Sequence, residues 1–103
     1  MLDILVSARR INSYVAGKSQ DDWLADPICQ DAVVRRFEII GEATRRISDE
    51  TKELLSLPWQ EMNAMRNILI HQYDGVDLFE VWDTIQTDIP HLIDQLEKII
   101  PPE

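Results

Sequence analysis

Arg66, Asn67, His71 and Tyr73 all fall within the short run Arg66-Asn67-Ile68-Leu69-Ile70-His71-Gln72-Tyr73. These side-chain types suit phosphodiester cleavage in RNA. Histidine gives or takes a proton near neutral pH. Arginine holds a phosphate through two parallel hydrogen bonds and stabilises charge growing on its oxygens. Asparagine can orient a histidine or a ribose, and tyrosine offers a stacking face and a hydroxyl. RNA carries its own nucleophile, the 2′-hydroxyl, so this chemistry needs neither a metal nor a protein nucleophile. The residue types alone leave a structural reading open. A histidine in the last turn of a helix is favoured by the helix dipole, and a tyrosine with its hydroxyl at the surface is an ordinary core aromatic.

A helix is the element that must position them. Pro58 restarts the chain after Leu57, and Trp59, Met62, Met65 (or Arg66), Leu69 and Tyr73 mark one helical face before the turn signal Asp74-Gly75. In a straight helix Arg66 and Tyr73 lie about 20° apart, Asn67 and His71 about 40°, and Arg66 and His71 about 140°. Arg66 and His71 therefore border a polar sector without touching. A substrate spanning that sector, or a second copy packed across a two-fold axis, would bring them to one reacting group.

Other segments supply the scaffold. Ile4, Ala8, Ile11 and Val15 recur at helical steps over residues 2–16, and Gly17 is a stop. Ser19 to Ala25 reads as a short helical turn or loop carrying Trp23 and Leu24. Asp26-Pro27 opens a long helix to about Ser48, with Val33, Phe37, Ile40, Ala43 (or Thr44) and Ile47 inward. Gly41 inside it costs about 1 kcal/mol relative to alanine, which suggests close approach of another backbone. Ser48-Asp49-Glu50 caps a short helix reaching Leu55. The last helix starts near Asp77, which with Glu80 has the form of a capping box. Leu78, Trp82 (or Val81), Ile85, Ile89, Leu92, Leu96 and Ile99 form its apolar face, Pro90 predicts a kink near residues 86–90, and Pro101-Pro102 ends it. The expectation is an all-α, antiparallel four-helix bundle with short additional helices, spanning residues 1–103 as a single domain.

The formal charge of -9 argues against a general nucleic-acid-binding protein. It is uneven: residues 1–66 hold nine basic and eleven acidic residues, whereas residues 67–103 hold eight acidic residues against Lys98. Arg9-Arg10, Arg35-Arg36, Arg45-Arg46 and Arg66 leave room for a local basic patch. The lone Cys29 rules out an intramolecular disulfide and a cysteine metal cluster. It fits a reducing, cytoplasmic setting. The first residues do not read as a signal peptide, and no apolar run approaches the ~20 residues that span a bilayer. Glu38 and Glu42, one helical turn apart, read either as an acid pair or as a solvated, arginine-paired face. His91 has no partner motif. Trp23, Trp59 and Trp82 read as core or interface residues. No metal or phosphate-loop pattern is present.

The run from Arg66 to Tyr73 resembles the R-x4-H-x-Y signature of HepT-like toxins, a branch of the HEPN superfamily. Gln30-Asp31-Ala32-Val33, Ile39-Ile40-Gly41-Glu42-Ala43, Pro58-Trp59, Met65-Arg66-Asn67 and Gly75-Val76-Asp77 extend the resemblance over nearly the whole chain. It implies a HEPN bundle that forms a homodimer, with the two motifs facing a shared cleft. It also implies a metal-independent endoribonuclease without a cofactor, with RNA as substrate. Arg66 and His71 would be catalytic, Asn67 supporting, and Tyr73 the residue that a minimal MntA-like nucleotidyltransferase antitoxin modifies with AMP. Two readings stand beside it: a non-catalytic module that binds a nucleotide or the nucleotidyltransferase, and a purely structural dimeric bundle.

Overall fold

A computed structural model describes residues 1–70 and 77–100, the last five of the first span as backbone alone. Six helices follow in order: α1 Leu2–Val15, α2 Gln20–Leu24, α3 Pro27–Arg46, α4 Asp49–Leu54, α5 Trp59–Ile70 and α6 Leu78–Ile99. Four are long and two are short, as the apolar spacing predicts. Among the described residues there is no strand.

Local chemistry sets most of the boundaries. Asp26 caps α3 by accepting from the Cys29 amide, and Pro27 takes the first helical position. Ser48 caps α4 through the Thr51 amide. Asp77 Oδ1 accepts from both the Phe79 and Glu80 amides at the start of α6. A full reciprocal capping box forms at Ser19 and Asp22, where each side chain bonds the other's amide. That box makes α2 a true helix, where the sequence left a turn or loop open. Gly17 has φ of +76°, the left-handed conformation that takes the chain out of α1.

Three contacts set the directions. Cys29 Sγ donates to the Tyr14 carbonyl at 3.6 Å, so the start of α3 lies beside the end of α1. The Trp23 indole donates to the Leu78 carbonyl at 2.9 Å, which puts the start of α6 at that same end. The Trp59 indole donates to the Lys52 and Leu55 carbonyls at 3.0 and 3.2 Å, so α5 begins beside α4 and the end of α3. With α1 packed on α3 and α6, and α3 on α5, neighbouring long helices are antiparallel.

The inner faces meet in one core. Ile4, Ile11, Trp23, Val33, Phe37, Ile40, Met62, Ile89, Leu92 and Leu96 are all at 0% exposure. Burying each such side chain contributes about 1.5–3 kcal/mol. Where the pattern left two options, Met65 and Val81 take the core positions, while Ala43 and Thr44 are both buried. Thr44 returns its hydroxyl to the Ile40 carbonyl at 2.7 Å, which satisfies it inside the helix. Trp82 is half-buried, with its ring 6.0 Å from that of Trp23. Ile99 departs from expectation: it is 38% exposed, and Ile100 packs against the core instead. At 22 residues α6 outruns the 14-residue α1, so its last turn lacks full cover. Gly41 is buried within α3, the helix that packs on α5. α6 runs unbroken through Pro90, whose ring is exposed to solvent.

Candidate functional site

Arg66 and Asn67 are carried on the backbone of α5. Their side chains lie outside the described residues, as do His71 and Tyr73 entirely, and with them the expected continuation of the helix to Asp74-Gly75. What the structure defines is the frame around this segment. Met62 and Met65, on the described part of α5, are 0% and 1% exposed and belong to the core. Trp59 fastens the start of the helix through its two indole hydrogen bonds, and the Lys52 ammonium sits 5.9 Å from its ring centre. On the far side of the segment, Trp23 holds the first residue of α6 through the Leu78 carbonyl. Residues 66–77 are thus bracketed by two tryptophan anchors.

α3 carries the two glutamates. Glu38 pairs with Arg35 at 3.2 Å on an exposed surface, which is the arginine-paired face the sequence allowed. Such a pair contributes little to stability. Glu42 instead lines a surface depression of about 360 Å³ with Arg45 and Arg46. Those two arginines occupy the last turn of α3, where cations suit the helix dipole. Of the other basic residues, Arg9 pairs with Glu97 at 3.2 Å, and Lys18 with Asp26 at 3.1 Å.

A second depression, of about 370 Å³, opens between the start of α5 and the middle of α6, lined by Pro58, Glu61, Thr87, Asp88 and His91. Burial pushes the Asp88 carboxyl above its ordinary range, and the charge of Glu61 adds to this, with His91 acting against it and Asp83 with it. The sequence gave no sign of this cluster. Asp88 and His91 are three residues apart on α6, a spacing too common to notice, and Glu61 joins them only through packing. Among the described residues no group of three His, Cys, Asp or Glu side chains is placed to hold a metal ion. No described helix is long and apolar enough to cross a membrane.

An all-helical frame with an R-x4-H-x-Y run on its penultimate long helix defines a HEPN-type domain, and residues 4–99 match the family described as ribonuclease HepT-like. The chain belongs to that family. It is 41% identical over 98 residues to a Thermococcus cleftensis protein named probable ribonuclease HepT, covering 94% of this chain and 89% of that relative. A Caldanaerobacter subterraneus protein named as a candidate RNase is 42% identical over 101 residues, covering 97% of this chain and 90% of its own length. A Methanocaldococcus jannaschii protein named as a gamma-glutamylcyclotransferase and candidate RNase is 43% identical over 98 residues. There the match covers 94% of this chain but 44% of the relative, so this chain spans less than half of that longer protein. No solved structure matches.

Proposed function

We propose that this chain is a metal-independent endoribonuclease, the toxin of a type VII toxin–antitoxin system, acting in the cytoplasm as a single HEPN/HepT-like domain over residues 1–103. The observation that carries the reading is the Arg66-x4-His71-x-Tyr73 run inside a family match over residues 4–99. The 2′-oxygen of RNA attacks the adjacent phosphorus, the phosphorus–5′-oxygen bond breaks, and the products carry a 2′,3′-cyclic phosphate and a 5′-hydroxyl. His71 takes the 2′-hydroxyl proton or supplies one to the leaving 5′-oxygen. Arg66 stabilises the pentacoordinate phosphorane, and Asn67 supports the histidine or the ribose. A homodimer, in which two such motifs share a cleft, supplies both proton-transfer roles at once.

Control falls to Tyr73. A cognate MntA-like minimal nucleotidyltransferase brings ATP to it. The phenolic oxygen attacks the α-phosphorus, pyrophosphate leaves, and the phenolic proton goes to solvent or a base. The bound AMP places bulk and negative charge beside Arg66 and His71, which blocks the RNA phosphate.

Purified protein is expected to cut RNA in excess EDTA. His71→Ala or Arg66→Ala should lower the rate by about 10²–10⁴-fold with helicity unchanged. Equal cutting by the His71→Ala protein would sink the reading. The net charge of -9 favours one alternative, a non-catalytic module that binds a nucleotide or the nucleotidyltransferase. Stable partner binding without cleavage of any RNA would select it.

A further inference from the structure

One end of the bundle is both apolar and acidic. The Trp23 indole ties α2 to the Leu78 carbonyl at the start of α6. The Gln30 side-chain amide ties α2 to the start of α3, donating to the Trp23 and Leu24 carbonyls at 2.8 and 3.3 Å. Ile28 and Phe79, each the second residue of its helix, therefore flank α2 from opposite sides. Ile28 is 83% exposed and Phe79 59%, at the end where α2 covers the core below them. Carboxylates rim the same end: Asp21, Asp22, Asp31, Asp77 and Glu80 are all exposed. The nearby Lys18 is engaged with Asp26.

We infer that this end, with Ile28 and Phe79 at its centre, is the docking surface for the nucleotidyltransferase that modifies Tyr73, through an apolar contact ringed by that partner's basic side chains; the inference rests on the function proposed above. Charge selects this occupant. RNA is a polyanion, and a carboxylate rim repels it. A second copy packed about a two-fold axis would set this acidic end against itself. An enzyme that holds ATP carries cations around the triphosphate, so its working face complements this rim. Position supports the same choice. Tyr73 precedes Asp77 by four residues, which extended chain spans in about 14 Å at most. A partner seated over Phe79 is then within reach of the tyrosine.

The test measures intact mass over time, with ATP and the nucleotidyltransferase encoded beside this chain, for the wild type and for Ile28→Ser/Phe79→Ser. RNA cutting by each unmodified protein is measured alongside. The double variant should gain AMP at least about tenfold more slowly at sub-saturating partner and cut RNA at the wild-type rate, because neither side chain serves the chemistry. Glu80→Lys, a surface change that leaves the core untouched, should also slow the gain, and added salt should slow the wild type. Equal rates of AMP gain in wild type and variants would overturn the docking surface while leaving the proposed function standing. A drop in oligomeric state on sedimentation of the double variant would also overturn it, since the face would then join two copies. If the wild type itself gains no AMP, the reading beneath falls and this inference with it.

Discussion

Two tryptophans hold the flanks of the motif, and they do so by different means. Trp23 is wholly buried, stacks obliquely on Trp82, and gives its indole proton to Leu78 on a helix 55 residues away in sequence. Trp59 is half-buried, bonds carbonyls within its own stretch of chain, and has a lysine over its ring. The first is a tertiary bolt through the core, while the second is a local clasp. Each faces one side of residues 66–77. The family's chemistry is thus slung between a strong anchor and a weak one, and the weak one is on the helix that carries Arg66.

The sharpest way to break that contrast is truncation. Trp23→Ala should lower the unfolding free energy by about 3–5 kcal/mol, and Trp59→Ala by about 1–2 kcal/mol, since half of its ring is already wet. Equal losses in urea denaturation would make the two anchors equivalent. Trp23→Phe isolates the hydrogen bond and should cost about 1–2 kcal/mol. Trp59→Phe should cost less, because water can reach the freed carbonyls. On the Trp23 side, Gly17→Ala should cost about 1 kcal/mol. No atom lies within 4 Å of the new methyl group, so any loss comes from the left-handed backbone alone.

The smallest effect belongs to the Trp59 side, at Asp88. Its carboxyl is raised in the folded state, so the ionised form opposes folding above that range. As pH falls toward the unfolded value of 3.8, protonation removes the penalty. Asp88→Asn should therefore raise the melting temperature near pH 7 by about 1–2 °C. The advantage should vanish below pH 3.8, in thermal scans across pH. A constant gap at all pH values would mean that repulsion from Glu61 and Asp83 is not its source.

What the sequence makes legible is local. Asp26-Pro27, Ser48 and Asp77 mark helix starts because capping is decided within three residues. The apolar spacing places Ile4, Phe37, Met62 and Leu92 in the core because it repeats with the helix. The bond from Trp23 to Leu78 and the meeting of Glu61 with Asp88 and His91 are decided by packing, and no spacing along the chain encodes them. The choice between Val81 and Trp82 needed the same information. At the candidate site, the residue types and the family resemblance come from the sequence. The structure contributes the helix beneath Arg66 and Asn67 and the anchors on either side.

Cys29 carries a last consequence. It is 7% exposed, its sulfur is directed at the Tyr14 carbonyl, and burial followed by the charge of Asp26 pushes its thiol up from the ordinary range. Thiolate is the form that oxidises, alkylates and exchanges. In air, without reductant, the protein should form no cross-linked pairs, and a thiol reagent should leave it untouched while it is folded. Labelling would then proceed only as fast as the start of α3 lifts from the end of α1. The single cysteine doubles as a built-in clock for the opening of the helix pair beneath α2.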